Sequence, residues 1–223
     1  KKYNLNIAKF YKYGSIRVAN YLEYIKRNEL KIKKDKYDIA LISEPAVRLN
    51  KKFKRKFLEE GFAEIAKFTI KFSIENNLKL IFLSKSFKNY IGENSEIEFY
   101  KNYLDKREFK YLLDNINEKK DEYSSYHALF QSVVAVGCQS TLLLDKIGRK
   151  EKILSCNLTK FKLYNFPIND ICSLNDCNYK QFSSRLKKII DISTAEYFKN
   201  INTSDVMTYD PHESLIKKIR KFL

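Results

Sequence analysis

A parallel β-sheet covered by helices on both faces is the architecture this 223-residue sequence predicts. Three observations carry the prediction. Short, continuous apolar runs recur along the chain, and a strand buried on both faces reads that way rather than as alternation. Longer stretches between them place apolar residues at i, i+3, i+4 and i+7, the spacing of a helix with one buried side. Strands alternating with helices in turn give βαβ units, and so a doubly wound, Rossmann-like domain. The composition can support it: 44% of residues are hydrophobic, with sixteen Phe and sixteen Tyr, while five Gly and three Pro leave little chain for structureless linkers.

Residues 1–36 are polar, basic and rich in Tyr, and read as a lead-in or linker from a missing N-terminal domain, ahead of an α/β domain over 37–223. Within that lead-in, Ile16 to Leu30 predicts an amphipathic helix with Val18, Tyr21, Leu22 and Ile25 on one side. Tyr37 to Ser43 is the first strand, and Ser43-Glu44-Pro45 ends it because proline cannot continue a ladder. Lys54 to Asn77 has helical periodicity, Leu78 to Ser84 is a second apolar run, and Ser95 to Leu104 is helical again. Phe109 to Leu113 reads as a further strand. Ser124 to Ser132 is a short helix with Ser124 or Ser125 as N-cap, and Val133 to Gly137 is the most strand-like segment of all. Helix Ser140 to Ile147, strand Lys152 to Cys156 and the short strand Ile171 to Leu174 continue the alternation. Asn178 to Ile190 is an amphipathic helix with Phe182, Leu186, Ile189 and Ile190 inward. Helices Thr194 to Asn200 and Glu213 to Leu223 close the chain, the latter with His212 at its start.

The net charge is +16, and it is unevenly spread. Residues 1–56 hold 17 Lys and Arg against 5 Asp and Glu, which leaves only +4 for the other 167. A basic front on a nearly balanced domain fits docking to an anionic membrane surface better than a nucleic-acid groove running through the fold. A basic nucleic-acid-binding module, motivated by runs such as Lys9-Phe10-Tyr11-Lys12-Tyr13, is therefore the alternative reading, beside a Rossmann-like scaffold without chemistry. Cys138, Cys156, Cys172 and Cys177 have no CxxC spacing and only two histidines for company, so no metal site is expected. Reduced, buried thiols fit a cytoplasmic protein. No window approaches 18 apolar residues and no signal-peptide run opens the chain, which is expected to be cytoplasmic, at most peripheral on the inner face of a bacterial membrane.

In an open parallel sheet, ligands lie beyond the carboxyl ends of the strands. The residues found there are Ser43 and Glu44, Ser84 and Lys85, Gly137 to Thr141, and Asn157 to Thr159. The strongest local pattern is Val133 to Gly137, then Cys138-Gln139, then Ser140-Thr141 opening a helix. Gly137 permits close backbone approach, and first-turn amides with two hydroxyls suit a phosphate. Gln139 lies in the same turn, and Asp145, one turn beyond Thr141, is placed to meet ribose hydroxyls. Glu44 is a candidate catalytic or acceptor-binding carboxylate, Lys85 a candidate to neutralise phosphate, and His127 a candidate acid or base beside the site. Asn157 and Thr159 are further candidate nucleotide or sugar contacts. There is no Gly-Lys-Ser/Thr loop and no Gly-x-Gly-x-x-Gly, which argues against ATP phosphoryl transfer and nicotinamide hydride transfer.

Several of these segments together resemble a known family. They are Ser124-Ser125-Tyr126, Gln131 to Gly137, Ser140-Thr141-Leu142-Leu143, Lys152 to Thr159, Phe166-Pro167-Ile168, Ile171-Cys172, the Phe182 to Leu186 helix and Glu196-Tyr197-Phe198. In combination they resemble bacterial surface-carbohydrate biosynthesis proteins of the LIC-type transferase family, which are similar to GT-B glycosyltransferases of capsule and lipopolysaccharide synthesis such as Kdo transferases. The likeness is strongest over residues 123–223 and thinner before them, where Tyr13 to Arg17 and Ile42-Ser43-Glu44 are the reminiscent pieces. It implies the C-terminal, donor-binding domain of a metal-independent GT-B enzyme, with an acceptor-binding N-terminal domain as partner. It also implies a nucleotide sugar, such as a CMP-linked ulosonic acid, as substrate, no cofactor, and a glycan or lipid-linked acceptor. Gly137, Ser140 and Thr141 would hold the donor phosphate and Asp145 the ribose, although the family more often has Glu at that position.

Overall fold

Continuous apolar runs become strands wherever both faces of the sheet are covered, and the computed structural model, which describes residues 15–44, 56–85, 96–202, 217 and 220, contains five of them. They are β1 (Tyr37–Ile42), β2 (Leu80–Leu83), β3 (Ser132–Gly137), β4 (Lys152–Asn157) and β5 (Ser173–Asn175). All pair in parallel, in the order β2-β1-β3-β4-β5. Outside β2, Phe82 forms a parallel bridge with Ile116: its amide donates to Asn115 O at 2.8 Å, and its carbonyl accepts from Asn117 N at 2.9 Å. With that rudimentary strand counted, the order is 3-2-1-4-5-6, that of dinucleotide-binding Rossmann folds.

The helices among the described residues are α1 (Ile16–Arg27), α2 (Lys56–Glu75), α3 (Glu96–Lys101), α4 (Lys106–Asp114), α5 (Ser124–Phe130), α6 (Thr141–Gly148), α7 (Tyr179–Asp191) and α8 (Thr194–Tyr197), with one 3-10 turn at Lys162–Tyr164. α2 and α7 pack together on one side of the sheet, against β1, β3 and β4. α5 and α6 pack together on the other, over β1 to β4. Right-handed crossovers require this division: β1 to β2 runs one way across the sheet, whereas β2 to β3 and β3 to β4 run the other. α1 belongs to the second layer. Its Tyr21 is fully buried and stacks on Tyr126 and Phe130 of α5 at centroid distances of 5.7 and 5.6 Å. The helix expected over 16–30 is thus present, but the boundary drawn at residue 36 does not separate it from the domain core.

Two other expectations change. Phe109 to Leu113 is not a strand but the middle of α4. Asp105 and Glu108 form a reciprocal capping box there, and its buried residues, Glu108 and Leu112, stand four apart, which is helical rather than alternating burial. Ser124 does not cap α5. Its hydroxyl accepts from Lys120 N and Asp121 N and donates to Asp121 Oδ1, closing the turn before the helix. Of the closing helix at 213–223, only Lys217 and Arg220 are described, both helical; the rest, with His212, lies outside the described residues.

Buried polar groups tie the layers together. Lys146 of α6 has no exposed side-chain surface, and its Nζ donates to Leu129 O, Ser132 O and Glu151 Oε2 at 2.8, 2.9 and 3.1 Å. Burial holds its pKa below the usual lysine value. Lys152 Nζ likewise donates to the carbonyls of Ile189, Ile190 and Ile192, which closes the carboxyl end of α7. Gly61 lets α2 touch the loop after β4, since a Cβ there would stand 2.6 Å from Thr159 Cα and N.

Tyr197 acts at the start of β4, where β5 has not yet begun to pair. Its buried hydroxyl accepts from Ile153 N at 3.1 Å and donates to Ile153 O at 2.7 Å, standing in for a missing strand. Tyr197→Phe leaves both backbone groups unsatisfied. We expect it to cost about 2–3 kcal/mol by that accounting, measured as a shift in urea midpoint, with the far-ultraviolet spectrum unchanged.

Candidate functional site

β1 passes the chain to α2 on one face of the sheet, and β3 passes it to α6 on the other. The strand order reverses between these neighbouring strands, and their carboxyl ends form the switch point at which ligands bind in such folds. Glu44 follows β1 and Gly137 to Thr141 follow β3, so the structure brings these residues together at one place.

Glu44 is the centre of that place. It is 7% exposed, and its Oε1 accepts from Cys138 N at 3.2 Å, with the Gln139 amide as a second donor. The carboxyl can come so close because residue 137 is glycine: a Cβ would lie 3.1 Å from Glu44 Oε1 and 3.3 Å from Ile42 Cβ. Burial pushes the Glu44 pKa up to about 7, against the opposing pull of Lys85 and the two amides. Lys85 reaches Glu44 through the backbone: its Nζ donates to Glu44 O at 2.5 Å. Its own amide is held by both carboxylate oxygens of Glu96, at 3.1 and 2.9 Å. Behind these, Ser43 Oγ and Tyr100 OH share a hydrogen bond at 3.2 Å. Ser84 Oγ is buried without a hydrogen-bond partner.

The opening of α6 completes the site. Ser140 is the N-cap, its Oγ accepting from Leu142 N at 3.3 Å and its carbonyl from Leu143 N at 3.0 Å. A hydroxyl that accepts in this way keeps its proton to give to an anion. Gln139 and Thr141 are exposed beside it.

Four other candidates are enclosed or placed elsewhere. Asp145 is 3% exposed, with Oδ2 taking the Tyr126 hydroxyl at 2.8 Å and a further hydrogen bond from Ser15. α1 packs over this turn of α6, so the carboxylate that was expected to meet a ribose is enclosed, and burial raises its pKa. His127 is not beside the α6 opening. Its Nδ1 shares a hydrogen bond with Tyr21 OH at 3.2 Å, and its Nε2 accepts from Gln131 at 3.1 Å. It lines a separate cavity of about 430 Å³ that reaches Lys36 and Tyr37 at the amino end of β1. Burial, with Lys36 nearby, lowers its pKa. Asn157 and Thr159 are buried and spend their polar atoms on each other: Asn157 Oδ1 takes Thr159 N at 3.0 Å and Thr159 Oγ1 at 2.7 Å, while Asn157 Nδ2 donates to Asn165 and Phe161. They shape the loop after β4.

Residues that sequence reasoning did not single out also belong here. Arg17 lies close enough to Asp145 and Tyr126 to act on both, and it is exposed at the first turn of α1. Glu96 and Tyr100 reach Lys85 and Ser43 from α3. The only advance signal for any of them was Arg17's place in the Tyr13 to Arg17 piece; Tyr13 and Gly14 lie outside the described residues.

A carboxyl whose folded pKa is raised favours folding only while it stays protonated. The Glu44 contribution is complete below the ordinary value of 4.5 and is lost as pH rises to about 7. At about 1.4 kcal/mol per pH unit, the loss is on the order of 3 kcal/mol. Glu44→Gln is expected to flatten the decline in stability across that window, read from urea melts at half-unit pH intervals. An unchanged decline would show that the Glu44 carboxyl titrates normally.

No family model, curated protein or solved structure matches this chain, which leaves its function to be read from this geometry.

Proposed function

We propose that this chain is the donor-binding half of a metal-independent glycosyltransferase of surface-carbohydrate synthesis, taking its sugar from a nucleotide at the carboxyl ends of β1 and β3. The observation that carries the reading is the turn Gly137 to Thr141, which opens α6 at the point where the strand order reverses. Helix amides and hydroxyls there meet the needs of a leaving phosphate, since the helix dipole and fixed donors stabilise developing negative charge without a metal. Ser140 and Thr141 supply hydroxyl donors and Lys85 supplies positive charge at the rim. Glu44, poised to give or take a proton near neutral pH, is the group for acid–base work.

The likeness to Kdo-type transferases supports a CMP-linked ulosonic acid as donor. It also supports a second, acceptor-binding domain facing the same strand ends. The positive charge of residues 1–56 suits the anionic membrane surface where lipid-linked acceptors lie. Among the described residues no helix is long and apolar enough to cross a membrane.

Thermal denaturation with cytidine and uridine nucleotides tests the assignment. Ligand at a hundred times its Kd stabilises by about 2.7 kcal/mol, which for a chain of this size raises Tm by roughly 5–10 °C. We expect a cytidine nucleotide to give that shift and Ser140→Ala/Thr141→Ala to remove most of it, with double-stranded DNA giving none. Nucleotide binding that survives the double substitution would move the phosphate elsewhere.

A further inference from the structure

The turn read above as a phosphate site already contains an anion-binding arrangement, and it is filled from within. The Cys138 and Gln139 amides, the two donors at the end of β3, point at the Glu44 carboxyl. Gly137 is what allows the carboxyl to stand over them. A ligand phosphate at the same turn would meet a carboxylate at hydrogen-bond range, in a site from which water is largely excluded. Like charges that close repel strongly where burial weakens screening. The charge on Glu44 must therefore go before the ligand's charge arrives.

We infer that the site takes up a phosphate-bearing ligand together with one proton, which neutralises Glu44 and turns it from the occupant of the Cys138 and Gln139 amides into a hydrogen-bond donor to the ligand. The inference rests on the reading of residues 137–141 as a phosphate site. The groups facing Glu44 single it out as the one that changes charge. Lys85, at the end of β2, is the cation beside it, with Nζ committed to the Glu44 carbonyl. The Cys138 thiol and the Tyr100 hydroxyl are both pushed upward by burial and stay neutral through this range. Glu96 of α3 adds negative charge near Tyr100 and is held by the Lys85 amide. A protonated carboxyl both removes the repulsion and supplies an O–H where a phosphate oxygen needs one. The cost of protonation is small at neutral pH, because burial has already brought this group to the edge of titration.

The test is titration calorimetry of the whole chain with the 5′-methyl phosphodiester of cytidine, whose single charge does not change between about pH 5 and pH 9. Runs at about pH 8 in two buffers of different ionisation heat count the protons taken up. We expect about one proton per ligand, with Kd rising roughly tenfold per pH unit above about 7. Glu44→Gln, which keeps an acceptor oxygen for the amides and carries no charge, is expected to bind without proton uptake and with a flat pH profile. Wild-type binding with no proton taken up would overturn the inference and leave the phosphate site standing. Binding by neither protein would remove the site and the inference with it. The wild-type proton count stands by itself if the variant folds poorly.

Discussion

An all-parallel sheet has no face it can show to water, and this constraint organises the molecule. Every strand must leave by a crossover that covers one side, and handedness decides which side. The chain moves one way from β1 to β2, and then the other way through β3 and β4. α2 and α6 therefore lie on opposite faces. The switch point between β1 and β3 is a by-product of covering the sheet. Nothing in the local sequence of Glu44 or Gly137 needs to create it.

What the sequence adds is the chemistry of that gap. A glycine at the end of β3 leaves space, and a glutamate at the end of β1 enters it. Ionised buried carboxylates are tolerated only with donors around them, and two backbone amides and one lysine are a modest set. The outcome is a carboxyl balanced between its two protonation states near neutral pH, in a fold whose ligands bind at that location. Lys146 shows the contrasting case. Three acceptors surround it, two of them backbone carbonyls, and it serves to join α5, β3 and α6.

The strands were legible because burial on both faces writes itself as unbroken apolar runs, and of the six expected, five are present and the one at 109–113 is not. That segment misled because Phe109, Tyr111, Leu112 and Leu113 form a run whose helical burial becomes apparent only once α4 is seen against α2. The site was legible in part for the same reason. Positions after strands follow from topology, so Glu44, Lys85, Gly137, Gln139, Ser140 and Thr141 fall together. His127 and Asp145 were placed by proximity in sequence and Asn157 and Thr159 by following β4, and the side chains of all four are claimed by neighbours distant in sequence or by the fold of their own loop.

Sequence by itself determined the elements, their alternation and the residue types that stand at the strand ends, because these depend on periodicity and on local backbone preference. Tertiary structure decided which of those residues face one another. It set Glu44 on the amides 94 positions away, folded α1 over Asp145, and turned His127 toward the opposite end of the sheet. Such facts depend on the order in which strands are laid side by side, and a single chain read end to end carries no direct record of that order.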